Sequence, residues 1–114
     1  MPLLSIETNQ TADDPTIAHL LKAASRAVAE QLDKPERYVM VRFERNPDML
    51  FAGEDAPLAY LEMKSIGLSE SATGELSALL CQLVEQELKV PRDRIYIEFA
   101  SAARKLWGWN GGTF

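Results

Sequence analysis

The pattern of apolar residues in the first half of the chain returns in the second half, 56 residues later. The segment LDKPERYVMVRFE around Pro35 lines up with LKVPRDRIYIEFA around Pro91, and the apolar stripe that precedes each segment lines up as well. The matching pairs are Leu32 and Leu88, Val39 and Ile95, Val41 and Ile97, Phe43 and Phe99, Leu20 and Leu76, Ala24 and Leu80, Ala27 and Leu83, and Val28 and Val84. Because so many positions agree at one spacing, we infer a duplicated unit.

Each unit reads as strand, helix, strand. We expect strands over residues 2–7, 38–44, 58–65 and 94–100, and amphipathic helices over about 15–32 and 70–88. Asp14 is the predicted N-cap, with Pro15 at the first helical position, and the prolines of LDKP and LKVP end the helices. A right-handed connection makes the two strands of each unit parallel. The chain of 114 residues is therefore predicted to be one α+β domain, with repeats at about 2–56 and 57–114.

In this architecture the two βαβ units share a four-stranded mixed sheet, and both helices cover the same face. The strand residues that would face the helices are Val39, Val41, Phe43, Ile95, Ile97 and Phe99. The alternate residues are only half polar: Tyr38, Met40, Arg42, Tyr96 and Glu98. A surface of that kind fits a subunit interface or a ligand pocket, so an oligomer is expected rather than a monomer.

Charge and composition exclude several classes of function. The net charge of −5 argues against a nucleic-acid partner, and no apolar stretch is long enough to cross a membrane. The N-terminal segment lacks the basic and apolar regions of a secretory signal, which predicts a cytoplasmic protein, although leaderless secretion would leave no mark. Cys81 is the only cysteine, so we expect no disulfide and no multi-cysteine metal site; in its apolar run it reads as a buried small hydrophobe.

Pro2 directly follows the initiator methionine. Proline is tolerated at the start of a strand because no ladder hydrogen bond is lost there. A second interpretation is chemical. Methionine is usually removed before a residue as compact as proline, and Pro2 would then carry a free secondary amine. Burial against apolar walls disfavours the charged form of such an amine, which would leave a neutral fraction able to act as a general base.

Five segments in order, PLLSIETN, LDKPERYVMV, KSIG, PRDRIYIEF and WGWNGGTF, resemble the macrophage migration inhibitory factor (MIF) family of the tautomerase superfamily. The resemblance extends from Pro2 to Phe114. It implies a symmetric homotrimer with active sites at the subunit interfaces. It also implies cofactor-free, metal-free keto–enol tautomerisation of phenylpyruvate-like α-keto acids, which are small anionic substrates.

The same resemblance assigns roles to individual residues. Pro2 would be the catalytic base, and Lys34 together with the backbone amide of Ile66 would hold the substrate carboxylate. Tyr96 would reach into the pocket of the neighbouring subunit. The remaining pocket walls would be aromatic: Tyr38, Trp107, Trp109 and Phe114. Without the resemblance, each of these residues has an ordinary structural interpretation. Lys34 would be an exposed lysine at a helix end, and Gly67 would be a turn residue that ends a strand. Tyr96 would be a packed tyrosine of the sheet, and the aromatic tail would pack as a hydrophobic clasp on the core or on a partner subunit.

Three positions depart from the family pattern. Glu98 stands where mammalian members usually have asparagine, and its carboxylate would repel an anionic keto acid or favour the protonated form of the base. Trp107 replaces a smaller aliphatic residue at the rim of the pocket. The Cys-x-x-Cys motif is absent, because Leu58-Ala59-Tyr60-Leu61 follows Pro57. We therefore expect weak phenylpyruvate turnover or a different substrate, and no thiol–disulfide oxidoreductase activity.

Two other functions remain open from the sequence. The chain could be a cytokine-like binding protein with a vestigial pocket and an unknown protein receptor, which Glu98 favours. It could also be an inert structural trimer, but that reading leaves the joint presence of Pro2, Lys34 and Tyr96 without a reason.

Overall fold

Two strand–helix–strand units follow each other along the chain in the computed structural model, which describes all residues from Met1 to Phe114. The first unit comprises β1 (Leu3–Thr8), α1 (Asp14–Leu32) and β2 (Met40–Arg45). The second comprises β3 (Ala59–Ile66), α2 (Thr73–Leu88) and β4 (Ile95–Ala102). A short hairpin of β5 (Gly108–Trp109) and β6 (Gly112–Thr113) closes the chain.

The four long strands form one mixed sheet in the order β2-β1-β3-β4. β1 pairs with β2 in parallel, and β3 pairs with β4 in parallel, so each unit has the predicted βαβ connection. The units meet where β1 and β3 run antiparallel. The α+β architecture with a four-stranded mixed sheet is thus confirmed.

Alternate strand residues form the core together with the helices. The buried strand residues include Leu4, Ile6, Leu61 and Met63, and they pack in one cluster with Leu20, Val28, Leu80, Cys81 and Val84 of the helices. Burying one such leucine or isoleucine is worth about 2 kcal/mol, so this face holds both units together. The helices are linked at both ends, by His19 with Glu87 at 2.9 Å and by Gln31 with Glu75 at 2.8 Å. They therefore run antiparallel on one face of the sheet.

The N-cap of α1 is Asp13, and the prediction of Asp14 was wrong by one residue. The Asp13 carboxylate accepts a hydrogen bond of 2.9 Å from the amide of Thr16, and this bond lowers the pKa of Asp13. Asp14 lies inside the first turn, where its charge suits the positive end of the helix dipole. Both helices end in a left-handed residue, Asp33 (φ 52°) and Lys89 (φ 58°), two positions before a proline.

Three predicted boundaries shift because short 3₁₀ turns precede the elements. The turns are Glu36–Tyr38 before β2, Glu70–Ala72 before α2 and Arg92–Arg94 before β4. In the first and third turns, the proline at the N-cap and a backbone hydrogen bond (Val39 to Glu36, Ile95 to Arg92) bend the chain before the strand starts. Tyr38 and Arg94 therefore belong to turns and not to strands.

The face of the sheet away from the helices is mostly polar, and most of its residues on the edge strands β2 and β4 are exposed in the single chain. Side chains of neighbouring positions pair there, Lys64 with Glu62 at 3.1 Å and Arg42 with Glu44 at 3.5 Å. Met40 and Tyr96 are 63% and 66% exposed. The residues of β3 alternate between the two faces as well: Ser65 is buried, whereas the adjacent Lys64 points to the open face.

Candidate active site

Pro2 is buried at the edge of a cavity of about 370 Å³, which we call the proline cavity. Its walls include Pro2, Arg37, Tyr38, Trp107, Trp109 and Phe114. The carbonyl of Pro2 accepts a hydrogen bond of 3.0 Å from the amide of Met40, which ties the N-terminus to the start of β2. Four of the predicted aromatic wall residues thus lie around the predicted base.

Met1 is present in this structure, so the terminal amine belongs to Met1, and the Pro2 nitrogen is part of a peptide bond. Burial lowers the pKa of the Met1 amine below 8.0, and the positive charge of Lys34 lowers it further. Met1 is only half-buried, whereas Pro2 is buried. After removal of Met1, the same two causes would act on the amine of Pro2.

The aromatic wall is built by the C-terminal hairpin, which we did not predict as a hairpin. Trp109 and Phe114 stack with ring centroids 5.4 Å apart, and Tyr38 packs edge-on against both at 5.5 and 5.7 Å. Asn110 and Gly111 have φ angles of 52° and 80°, as a two-residue primed turn requires. The Asn-Gly pair in WGWNGGTF was the available signal, because it is the strongest short-range indication of a hairpin.

Lys34 and Ile66 line a second cavity of about 240 Å³, together with Ser65, Gly67 and Ser69. The left-handed Asp33 turns the chain back so that the amide of Lys34 donates to the carbonyl of Ala29 at 2.9 Å. Gly67, at φ 66°, ends β3 as the turn residue we expected. The structure therefore brings Lys34 and Ile66 together, and the side chain of Lys34 is near enough to the terminal amine to affect its pKa.

Tyr96 and Glu98 do not line either of these cavities within one chain. Both lie on β4, at the sheet edge opposite β2, whereas Pro2 immediately precedes β1. Tyr96 packs on Phe51 with ring centroids 4.7 Å apart and borders a third cavity of about 260 Å³, which is lined by aliphatic and aromatic residues. These residues could act at a Pro2 site only from another copy of the chain.

Tyr60 is a partner of Glu98 that the sequence reasoning missed. Its hydroxyl donates to the Glu98 carboxylate at 2.9 Å and also contacts Glu62 at 3.3 Å. The hydrogen bond to Glu98 is the main reason that the pKa of Tyr60 rises to about 12; burial and the charges of Glu62 and Glu98 add to it. No local pattern signals this contact, because it depends on the pairing of β3 with β4.

Arg37 is the second residue that we missed. It is the one charged side chain on the wall of the proline cavity, and its guanidinium lies over the ring of Tyr38, 4.7 Å from the centroid. In the sequence it is one of several charged residues of a polar turn, and nothing distinguishes it there.

Neither a metal centre nor a membrane span emerges from the fold. No group of three or more His, Cys, Asp and Glu side chains is arranged to hold a metal ion. None of the helices combines the length and the apolar character needed to cross a bilayer.

The sequence profile described as "Macrophage migration inhibitory factor (MIF)" matches residues 1–114. A MIF homolog from Brugia malayi is 36% identical over 115 residues, which cover 100% of this chain and 99% of that protein. The solved MIF homologue from Prochlorococcus marinus superposes with a TM-score of 0.93 at 44% identity and 98% coverage of both chains. The MIF structure from Toxoplasma gondii superposes with a TM-score of 0.94 at 34% identity, covering 98% of this chain and 99% of that one.

Proposed function

Because the chain belongs to the macrophage migration inhibitory factor family over its whole length, we propose that it is a cofactor-free keto–enol tautomerase of phenylpyruvate-like α-keto acids. The observation that carries the proposal is the position of Pro2, buried at an aromatic cavity beside a cation. A secondary amine held there would be neutral in part near physiological pH, as a general base must be.

The proposed reaction is a proton transfer between carbon and oxygen. The Pro2 nitrogen, free after removal of Met1, takes a proton from the carbon next to the keto group as the C=C bond forms. The protonated Pro2 amine then gives that proton to the carbonyl oxygen, which forms the enol and returns Pro2 to its neutral form; the reverse sequence regenerates the ketone. The aromatic wall of Tyr38, Trp109 and Phe114 suits stacking on the aryl ring of the substrate.

Lys34 and the backbone amide of Ile66 would hold the carboxylate of the substrate. Their shared cavity and the effect of Lys34 on the terminal amine support this role. A charge-assisted contact to a carboxylate is stronger than a neutral hydrogen bond, so it would also orient the keto group toward Pro2.

We propose further that the active form is a homotrimer whose sites are shared between subunits. The exposure of Tyr96 and its position on β4, which β3 separates from β1, support this, because within one chain Tyr96 and Glu98 do not line the proline cavity. Tyr96 of the neighbouring subunit would orient the carbonyl end of the substrate.

The proton-transfer role is tested by comparing the native protein with Pro2→Gly in a phenylpyruvate tautomerisation assay. Intact mass must first establish that Met1 is absent, since a retained methionine blocks the amine. We expect Pro2→Gly to lose about 100-fold in kcat/KM, the contribution of a positioned general base, with an unchanged circular dichroism spectrum. Equal rates for the two proteins would refute the enzyme proposal.

The shared site is tested with mixed oligomers. Pro2→Gly and Tyr96→Ala proteins, each nearly inactive, are unfolded together and refolded. If Pro2 and Tyr96 come from different subunits, some mixed oligomers regain a complete site, and activity returns above that of either variant alone. Sedimentation analysis gives the subunit number. No recovery in mixtures shown to have exchanged subunits would contradict the arrangement.

The second candidate function is a binding protein with a vestigial pocket. The observation that favours it is Glu98, whose carboxylate would face an anionic substrate. Under that alternative, native protein and Pro2→Gly have the same low rate, while the protein still associates with a protein receptor.

A further inference from the structure

The turn Glu36–Tyr38 places one charged side chain on the wall of a cavity whose other lining side chains are uncharged. It belongs to Arg37, whose guanidinium carbon lies 4.7 Å from the centroid of the Tyr38 ring. Tyr38 in turn contacts Trp109 and Phe114. Arg37 therefore sits on the aromatic part of the cavity, where the aryl end of a ligand would lie.

Arg37 has no anionic partner in the single chain. The corresponding turn of the second unit, Arg92–Arg94, contains two arginines, and both have partners. There Arg92 pairs with Glu85 at 2.9 Å, and Arg94 donates to four backbone carbonyls. The guanidinium of Arg37 makes only its contact with the Tyr38 ring, and stacking on a ring leaves the N–H groups at the guanidinium edge free to bind an anion.

Lys34 does not bind an anion at the aromatic part of the proline cavity, because it lines the other cavity with Ile66. The N-terminus is thus flanked by two cations on different walls. If Lys34 takes the carboxylate of the keto acid, a second anionic group on the same ligand would be needed to engage Arg37.

We propose that Arg37 is a specificity-determining residue that selects α-keto acids with a second anionic group, such as a carboxylate, on their aryl side. This inference takes its substrate class from the proposed function, whereas its binding test with non-reacting ligands does not depend on that function. The planar guanidinium would hold the second carboxylate through two parallel hydrogen bonds. A dianionic ligand would also offset the unfavourable charge of Glu98 through an additional ion pair.

The test compares phenylpyruvate with para-carboxyphenylpyruvate on the native protein, Arg37→Gln and Arg37→Lys. The control is Arg26→Gln, which removes the same charge from an exposed position of α1. We expect the native protein to prefer the ring-carboxylated substrate. The ratio of kcat/KM for the two substrates should fall about five- to tenfold in Arg37→Gln, as for loss of a charge-assisted hydrogen bond at a partly exposed site. It should fall less in Arg37→Lys and stay constant in Arg26→Gln.

An unchanged ratio in Arg37→Gln would overturn the proposal, even if both rates fell, since Arg37 would then only support the Tyr38 ring. If neither substrate is turned over, the proposed function fails by itself, and binding decides about Arg37. Terephthalate and benzoate are non-reacting ligands with two and one carboxylates, and quenching of Trp107 and Trp109 fluorescence reports their binding. A preference for terephthalate that is lost in Arg37→Gln supports the proposal; equal affinities in the native protein overturn it.

Discussion

Lys34 occupies the position in the first unit that the fully buried Val90 occupies in the second unit. Both residues follow a left-handed helix-ending residue and precede a proline. The second unit thus uses this position for its core, whereas the first unit places a half-buried cation there, beside the N-terminus. The local fold does not require a charge at this position, which favours a role of Lys34 in binding.

Replacing Lys34 by valine should therefore separate binding from stability. Because Val90 shows that a valine fits this backbone, we expect Lys34→Val to unfold at a urea concentration no lower than the native protein. The KM for phenylpyruvate should rise about tenfold through loss of a charged hydrogen-bond donor. Lys22→Val, at an exposed position of α1, is the control and should leave KM unchanged. A destabilised Lys34→Val protein with native KM would show that Lys34 is structural.

The pH dependence of kcat/KM should report the terminal amine. Burial and Lys34 lower the pKa of the terminal amine that Met1 carries, and we expect the same two causes to lower the pKa of the Pro2 amine once Met1 is removed. We expect activity to fall as the pH decreases through this lowered pKa, because protonation removes the base. In Lys34→Val this fall in activity should occur at a higher pH, since one of the two causes that lower the pKa of the amine is gone. If kcat/KM falls at the same pH in Lys34→Val as in the native protein, the titrating group is not near Lys34.

Glu98→Asn should raise phenylpyruvate turnover and at the same time change Tyr60. The loss of a repelling carboxylate is expected to lower KM about fivefold, which corresponds to about 1 kcal/mol. The pKa of Tyr60 should fall from about 12 toward 10.0, because the hydrogen bond from Tyr60 to Glu98 is its main cause. Ultraviolet titration of the phenols measures this shift, and Tyr60→Phe identifies the titrating group. An unchanged or lower rate in Glu98→Asn would refute the repulsion argument.

The raised pKa of Tyr60 also predicts a change in stability at alkaline pH. The folded state keeps the phenol proton up to about pH 12, whereas the unfolded chain loses it near 10.0. The contribution of Tyr60 to stability is therefore complete below pH 10 and is lost as the pH rises toward 12. Urea unfolding of the native protein and of Tyr60→Phe should show a steeper alkaline decline in the native protein.

Arg94 should be important for stability and not for catalysis. It donates to the carbonyls of Phe51, Glu54, Ala56 and Pro57, which fixes the loop before β3. We expect Arg94→Ala to lower the free energy of unfolding by about 2 kcal/mol, because several partly buried carbonyls lose their donor. Arg92→Ala, which breaks only an exposed ion pair with Glu85, is the control and should cost less. Equal losses in urea unfolding would contradict the role of Arg94.

The location of Tyr38 shows where prediction from the sequence reached its limit. The alternation of Val39, Val41 and Phe43 correctly predicted a strand with one face toward the helices. It also placed Tyr38 on that strand, but the turn after Pro35 takes Tyr38 out of the sheet and onto the wall of the proline cavity. Periodicity describes the residues within an element, whereas its ends depend on hydrogen bonds that the pattern does not contain.

The amino-acid sequence by itself determined the two βαβ units, the parallel pairing inside each unit and the strand residues that face the helices, because these follow from local periodicity and from the handedness of the connection. Only the tertiary structure decided that Pro2 and Lys34 line different cavities, that Tyr60 holds Glu98 and that Arg37 lies over Tyr38. Those relationships join side chains from elements far apart in the chain or from a turn and a terminal hairpin. They depend on how strands and turns are placed in three dimensions, which no short stretch of sequence specifies.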